Sequence, residues 1–171
     1  DIYPKEVLGV IGMSGVGKST LLNIIAGLVE PQSGRVKRKK GVRYGFSTQF
    51  PSFYPSLTVL ENLDYFASLA DLNSKSRKPA IAKVMGQVGL GSYTTKKAGR
   101  LSGGQKKRLD LALSLLHQPD VLLLDEPTAD LDPISRERLW QLIKTLRTNG
   151  MTIVLCSHLL EEIEPVCDRI C

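Results

Sequence analysis

Apolar and polar residues follow one another along the chain in blocks that predict alternating strands and helices. Three runs are apolar at successive positions, as in strands covered on both faces of a parallel sheet: VLGVIG from Val7, VLLLDE from Val121 and TIVLCS from Thr152. A shorter strand, VRYGFS, is predicted from Val42. Helical periodicity marks the other main segments, STLLNIIAGL, TVLENLDYFASLA, RKPAIAKVMGQVGL, the stretch after LSGGQ, ISRERLWQLIKTLRT and LLEEIEPVC.

Capping residues mark several of the helix ends. Thr58 and Glu61 have the spacing of a capping box at the start of TVLENLDYFASLA. Asp132 and Pro133 are placed as the N-cap and the first residue of a later helix, and Gly27 stands near the end of the first one. The order of these elements predicts a parallel α/β sheet with a helical insert at about residues 51–114.

Composition fits one globular domain and leaves the partner open. The chain has 171 residues, of which 42% are hydrophobic, and no apolar run approaches the ~20 residues that a membrane helix needs. A net charge of +6 favours polyanions, anionic membrane surfaces or nucleotides without choosing among them. Three cysteines without a C-x-x-C pair fit a reducing cytosol better than a disulfide scaffold.

A run of basic residues at positions 35–43 has three interpretations. It could bind nucleic acid, but it contains no aromatic residue before Tyr44 and matches no RNA- or DNA-binding module. It could lie near anionic lipid. A solvated hairpin rim is the interpretation we favour, so no nucleic-acid partner is expected, and salt-dependent binding of nucleic acid would contradict it.

A glycine-rich turn follows the first predicted strand and opens the first predicted helix. It matches the phosphate-binding pattern G-x-x-x-x-G-K-[ST], in the context that this pattern requires. Glycines allow the backbone to approach a phosphate closely, Lys18 provides a charge for the β- and γ-oxygens, and the hydroxyl of Ser19 suits Mg²⁺. The predicted nucleotide-binding residues are Gly12, Met13, Ser14, Gly15, Val16, Gly17, Lys18, Ser19 and Thr20. The alternative is a glycine-rich turn with a surface lysine.

Polar residues at the ends of three other strands suggest hydrolysis. Asp125 ends an apolar strand and could hold Mg²⁺, while Glu126 could act as general base on the attacking water. His158 could contact the γ-phosphate, and Gln49 could contact Mg²⁺ or the water. Taken alone, each has a structural alternative: surface carboxylates, a satisfied structural histidine and a solvated amide.

A second possible anion cradle occurs at LSGGQ, where small residues precede a predicted helix. Together with GMSGVGKST, Gln49, LLLDEPTADLDP and CSH, in this order, it resembles the ATPase domain of ABC transporters over nearly the whole chain. The resemblance implies a P-loop NTPase (RecA-like) fold with ATP and Mg²⁺ as ligands. It implies a core at about residues 1–50 and 115–171 and a helical signature subdomain at about 51–114.

The same resemblance implies a head-to-tail pair of ATPase domains and a membrane permease as partners, at the inner, cytoplasmic face of the membrane. Each ATP would lie between the P-loop of one domain and the LSGGQ segment of the other, here Leu101, Ser102, Gly103, Gly104 and Gln105. The dimer interface would include Ala129, Asp130, Leu131 and Asp132, and a groove around residues 49–63 would receive a permease helix. A γ-phosphate shared by two subunits would join them until hydrolysis removes it, so binding energy would become motion.

Within the family, the segments around LSGGQ and CSH look most like ATPases of exporters for drugs, lipids or polysaccharides. Only residues 1–11 precede Gly12, and Tyr3 is too close to the P-loop for the adenine-stacking role, so we expect a core fragment of a longer subunit. Asp130 stands where glycine or alanine is commoner in the family.

Two kinds of non-transport relative are the alternatives. DNA-repair and chromosome-maintenance ATPases separate the P-loop from LSGG by a long coiled coil, for which Lys18 and Ser102 stand too close. Ribosome-associated translation factors carry two ATPase domains on one chain and usually have Asn-His at positions 129 and 130.

Overall fold

The computed structural model describes all 171 residues and contains a five-stranded sheet flanked by six helices. The strands are β1 (Val7–Ile11), β2 (Tyr44–Ser47), β3 (Val121–Asp125), β4 (Thr152–Ser157) and β5 (Arg169–Ile170). The helices are α1 (Lys18–Ala26), α2 (Val59–Leu69), α3 (Ser74–Val88), α4 (Gly103–Leu115), α5 (Pro133–Thr148) and α6 (Leu160–Ile163).

All paired strands are parallel, in the order β2–β3–β4–β1–β5. In register, Cys156 of β4 lies between Val10 of β1 and Asp125 of β3. The carboxyl ends of β1, β3 and β4 therefore meet at one edge of the sheet, which is where ligands bind in open α/β folds. The predicted parallel α/β fold is confirmed.

Helices cover both faces of the sheet. On one face, Leu123 and Val154 are fully buried in a cluster that includes Leu22 of α1. On the other, Leu122 and Ile153 belong to a larger cluster that also contains residues of α2, α3, α4 and α5. Burial on both faces explains why these strands are apolar at successive positions.

Helix α4, which begins within LSGGQ, packs unusually close to β2. A Cβ atom at Gly45 would lie 2.4 Å from the carbonyl oxygen of Ser114, so only glycine fits at this crossing. Helices α2 and α3 pack against α4 in turn. The helix that begins at LSGGQ is thus fixed directly to the edge strand of the sheet.

The predicted helix caps are present. Thr58 and Glu61 form a reciprocal capping box, in which Glu61 Oε2 accepts from Thr58 N at 2.7 Å. Asp132 Oδ1 accepts from Ser135 N at 3.0 Å. Gly27 ends α1 in the left-handed conformation, with φ of 81°.

The hairpin predicted around the basic run is wrong. Residues 35–43 form no strand, and β2 begins only at Tyr44. The run is held instead by polar contacts, since the guanidinium of Arg38 donates to the carbonyls of Ile24 and Ile25 at the end of α1. A cation at a helix C-terminus satisfies carbonyls that have no partner within the helix.

Three element boundaries also differ from the prediction. Helix α3 begins at Ser74, before the predicted segment, because Asn73 caps it by accepting from the N–H groups of Lys75 and Ser76. Helix α6 has only four residues, and the two-residue strand β5 was not predicted.

No helix has the combination of length and apolar character needed to cross a bilayer.

Candidate active site

A cavity of about 350 Å³ opens where the carboxyl ends of β1, β2, β3 and β4 meet the start of α1. It gathers side chains that lie far apart in the sequence. The residues that line it are Ser14, Gly15, Gly17, Lys18, Ser19, Thr20, Gln49, Asp125, Glu126, Ala129 and His158. Of the predicted P-loop residues, Gly12, Met13 and Val16 do not line it.

The glycines of the P-loop are required by backbone conformation. Gly15 and Gly17 have φ of 82° and 106°, and no atom lies within 4 Å of the position where either would carry a Cβ. Gly17 is the N-cap of α1, and no side chain caps this helix. The first N–H groups of α1 therefore keep their positive character at the cavity, as an anion site requires.

Lys18 is folded beneath this loop and is only 8% exposed. Its Nζ donates to the carbonyl oxygens of Gly12 at 2.7 Å and Met13 at 3.2 Å. The same ammonium lies 3.2 Å from Glu126 Oε1. These three contacts hold one positive charge at the base of the cradle.

Glu126 joins Lys18 to the predicted histidine. Its Oε2 lies 2.9 Å from Nδ1 of His158, while its Oε1 contacts Lys18. The residue adopts a left-handed conformation, with φ of 44°, and its N–H donates to the carbonyl of Cys156 at 3.0 Å. The backbone of β4 thus fixes the carboxylate between a lysine and an imidazole.

Asp125 has the environment expected of a cation ligand. The residue is 5% exposed, and its buried Oδ1 has no hydrogen-bond partner. A buried carboxylate oxygen without a partner is costly unless a cation binds it. Ser19 and Gln49 line the same cavity, and hydroxyl, amide and carboxylate oxygens are the donors that Mg²⁺ prefers. These residues fit a magnesium ion.

LSGGQ lies elsewhere, and none of its five residues lines the cavity. Ser102 is the N-cap of α4 and forms a capping box with Gln105, whose Oε1 accepts from Ser102 N at 3.1 Å. Ser102 and Gly103 are exposed. Gly104 is buried against α5, where an added Cβ would lie 2.4 Å from Ser135 Oγ. The second cradle is therefore a surface feature of the chain.

The segment from Ala129 to Asp132 runs between these two places. Ala129 lines the cavity, and Leu131 is buried near Gly103. Asp130 is exposed and left-handed, with φ of 59°, a conformation that asparagine and aspartate tolerate better than most residues. Asp132 caps α5, and its hydrogen bonds with Ser135 hold the pKa of the carboxyl below its usual value.

One group of polar contacts, between α5, α6 and the segment after Glu126, has no signal in the sequence. Glu162 of α6 accepts from Thr128 Oγ1 at 2.8 Å and pairs with Arg136 of α5 at 2.7 Å. It thereby ties the helix after His158 to the segment after Glu126. These partners lie on different elements, so no local spacing in the sequence predicts their contacts.

Cys156 lies next to the P-loop but is not a candidate nucleophile. Its Sγ is 3.7 Å from the carbonyl oxygen of Lys18, and burial, with Asp125 nearby, raises the pKa of the thiol to about 12. A thiol of this kind stays protonated and unreactive near neutral pH.

Fold and site together define the chain as a P-loop NTPase domain: a parallel sheet, a glycine cradle that opens a helix after β1, and carboxylates at the carboxyl end of β3. The family profile described as ABC transporter matches residues 1–129. The chain belongs to the ABC transporter family.

Individual relatives agree with this assignment. The chain is 37% identical over 180 residues to the Nod factor export ATP-binding protein I of Burkholderia pseudomallei, covering 99% of this chain and 59% of that protein. Its structure matches cbiO1 of Clostridium perfringens, part of the ABC transporter complex cbiONQ, with a TM-score of 0.86 and 27% identity over 99% of this chain and 74% of that one. It matches MJ0796, a dimeric bacterial ABC transporter cassette, with a TM-score of 0.83 and 29% identity over 99% and 82%.

Proposed function

We propose that this chain binds Mg-ATP and hydrolyses it to drive transport across a membrane. The observation that carries the proposal is the cavity in which a glycine cradle, the buried Lys18, the unpaired carboxylate oxygen of Asp125 and the Lys18–Glu126–His158 chain meet. Phosphate, metal ion and attacking water each find a suitable group there.

Binding relies on residues 12–20. The N–H groups at the start of α1 and the ammonium of Lys18 hold the phosphates, because both offer positive charge at a short distance. Ser19, Gln49 and Asp125 hold Mg²⁺, which when bound neutralises phosphate charge.

Hydrolysis relies on Glu126 and His158. Glu126 accepts a proton from the attacking water, whose oxygen bonds to the γ-phosphorus as the bond to the β–γ bridging oxygen breaks, so ADP and phosphate result. The contact of His158 Nδ1 with Glu126 fixes the carboxylate and leaves Nε2 for the γ-phosphate. This pair resembles a base held by an orienting group.

LSGGQ serves the nucleotide of a second ATPase domain. Leu101, Ser102, Gly103, Gly104 and Gln105 lie outside the chain's own cavity, and Ser102 and Gly103 are exposed to a partner. The dimeric state of MJ0796 supports a paired arrangement. Ala129, Asp130, Leu131 and Asp132 then lie along the interface, since they join the cavity to the second cradle.

The membrane partner is a permease at the inner face of the membrane. We assign residues 1–50 and 115–171 to the ATPase core, residues 51–114 to a helical signature subdomain, and residues 49–63 to the permease groove. The relative named for Nod factor export supports an exporter, and the transporter complex that contains cbiO1 supports a permease partner. Both favour transport over a ribosomal or DNA-repair role.

The central test compares the full-length protein with Glu126→Gln. We expect the parent to hydrolyse Mg-ATP and the variant to bind it with similar affinity while turnover falls by about 10²-fold or more, because the amide cannot accept the proton. Size-exclusion chromatography with Mg-ATP should show the variant as a dimer. Hydrolysis by the variant at the parental rate would exclude Glu126 as the base.

A further inference from the structure

Helix α4 carries two charged side chains in a part of the protein that is otherwise apolar. Lys107 is 9% exposed and Asp110 is 3% exposed, whereas their neighbours Leu109, Leu111 and Ala112 belong to the main core cluster. Burying an ammonium and a carboxylate is costly unless each makes specific hydrogen bonds. Neither residue lines the cavity, and the proposed mechanism does not use them.

Both side chains bind the segment that contains Gln49. Asp110 Oδ2 accepts from Ser47 Oγ at 2.5 Å, and its Oδ1 accepts from the N–H of Ser52 at 3.0 Å. Lys107 Nζ donates to the carbonyl oxygen of Thr48 at 2.9 Å. These three bonds therefore attach the chain on both sides of Gln49.

Apart from Phe53, whose side chain is buried in the main core cluster, residues 48–53 have little else to fix them. They belong to no helix or strand, and no backbone–backbone hydrogen bond outside the regular elements involves them. The other local bond, from Thr48 Oγ1 to the carbonyl of Phe50, stays within the segment. Between the end of β2 at Ser47 and the buried Phe53, the hydrogen bonds that position Gln49 therefore come from α4.

The two buried side chains also compensate each other's charge. Burial lowers the pKa of Lys107, and the charge of Asp110 opposes that shift. Burial raises the pKa of Asp110, while its bonds to Ser47 and Ser52 and the charge of Lys107 oppose the rise. Each buried charge therefore stabilises the other.

We propose that Lys107 and Asp110 are positioning residues that hold Gln49 at the metal side of the cavity. The inference rests on the proposed function, because it gives Gln49 a role with Mg²⁺. Two buried charges on α4 thereby orient a metal ligand that lies on a segment without regular structure.

The test uses the full-length protein with Lys107→Met, which keeps the length of the side chain but loses the donor. Lys107→Arg is the conservative variant, and Asp110→Leu removes the other two bonds. Ser114→Ala is the matched control, because Ser114 is buried on the same helix but bonds only within it, to the carbonyl of Leu111 at 2.7 Å.

The first measurement is amide hydrogen exchange without nucleotide, which does not depend on activity. The amide to follow is that of Ser52, whose N–H donates to Asp110 Oδ1. We expect Asp110→Leu to raise its exchange strongly and Lys107→Met to raise it less, while α4 stays protected and Ser114→Ala leaves Ser52 unchanged. Equal exchange of Ser52 in the parent and both variants would overturn the inference. A general rise across α4 would assign the pair to folding alone and would overturn it as well.

The second measurement is the dependence of ATP hydrolysis on free Mg²⁺. Losing a residue that orients a metal ligand typically weakens metal affinity by about 10- to 100-fold, so we expect the apparent KM for Mg²⁺ to rise by about tenfold or more in Lys107→Met. Lys107→Arg should restore the parental value. In a Gln49→Ala background, Lys107→Met should add little, since both act through Gln49.

Two outcomes separate this inference from the proposed function. A parent protein without Mg²⁺-dependent ATP hydrolysis overturns the proposed function and, with it, the role given to Gln49. A parent that hydrolyses ATP while Lys107→Met leaves the Mg²⁺ dependence unchanged, or adds its full effect to that of Gln49→Ala, overturns the positioning alone.

Discussion

The P-loop and LSGGQ are both glycine-containing turns at the start of a helix, yet they are built by different forces. Gly15 and Gly17 take positive φ values in open space, and no side chain caps α1. Gly103 and Gly104 have no positive φ, and Gly104 is needed because Ser135 approaches it closely. The first turn is shaped by backbone conformation and the second by packing.

The two turns also differ in the charged groups that surround them. Lys18 and the carboxylates of β3 lie at the P-loop cavity, whereas Ser102 bonds to Gln105 of its own helix and stands exposed. One turn has everything that a phosphate and its metal need within one chain. LSGGQ offers hydrogen-bond donors, but none of its residues lines the cavity that holds Lys18 and the carboxylates. We therefore expect a second subunit to supply the groups that complete its site.

The largest expected effect tests whether the P-loop binds the chain's own nucleotide and LSGGQ the nucleotide of a second subunit. Ser102→Arg and Glu126→Gln should each lose hydrolysis by about 10²-fold or more, for different reasons: arginine fills the place of the partner's γ-phosphate, and glutamine cannot accept the proton. In a heterodimer, one site carries both changes and the other carries neither. Mixing the two inactive proteins should therefore restore about a quarter of the parental ATPase activity, in a concentration-dependent way.

Ser33→Arg provides the control for the mixing experiment, because it adds the same side chain at an exposed position that does not line the cavity. It should leave hydrolysis unchanged. Cross-linking establishes that the heterodimer forms. Heterodimers without activity above that of the separate variants would contradict the assignment of LSGGQ to the partner's nucleotide.

The next effect concerns binding to a single domain. Lys18→Ala removes a charge-assisted contact and should weaken Mg-ATP binding by about 2–3 kcal/mol, or about 30- to 150-fold. Lys106→Ala removes the same charge beside the second cradle and should leave binding to one domain unchanged. Calorimetry measures the affinity of both variants for Mg-ATP. Equal losses of affinity would contradict the assignment of the P-loop alone to binding by a single domain.

Stability should also respond differently at the two sets of glycines. Gly104→Ala places a Cβ 2.4 Å from Ser135 Oγ and 2.6 Å from its Cβ, so we expect a loss of about 1–3 kcal/mol that Ser135→Gly partly relieves. Gly15→Ala meets no atom and should lose about 1–2 kcal/mol through its positive φ alone. Denaturant unfolding of the single and double variants measures both, and relief of Gly15→Ala by Ser135→Gly would contradict this account.

The sequence was most informative where local pattern and chemistry coincide. GMSGVGKST and LLLDE predict both their elements and the gathering of their side chains, because the carboxyl ends of parallel strands share one edge. The bonds of Asp110 to Ser47 and of Glu162 to Thr128 span 63 and 34 positions, and no local pattern records such pairs. Asn73 is a residue type that typically caps a helix and so marks the start of α3 in the sequence, whereas β5 is too short to give a signal.

The smallest expected effect distinguishes two roles of Ser102: capping helix α4 and contacting the nucleotide of the partner domain. Its hydroxyl accepts from Gln105 N at 3.4 Å, a longer bond than the 3.2 Å from Glu61 N to Thr58 Oγ1 in the other capping box. We therefore expect Ser102→Ala to lower the free energy of unfolding by only about 0.5–1 kcal/mol, and Thr58→Ala by a similar or larger amount.

Hydrolysis then separates the two roles of Ser102. If Ser102 contacts the partner's nucleotide, Ser102→Ala should reduce turnover more than Thr58→Ala does, although it destabilises the fold no more. Unfolding curves and ATPase rates on the same samples measure both quantities. A loss of stability of about 2 kcal/mol for Ser102→Ala would make the residue chiefly a cap, because this is the upper end of the range for an N-cap. Equal turnover of the two variants would leave the exposed hydroxyl without a role in the second cradle.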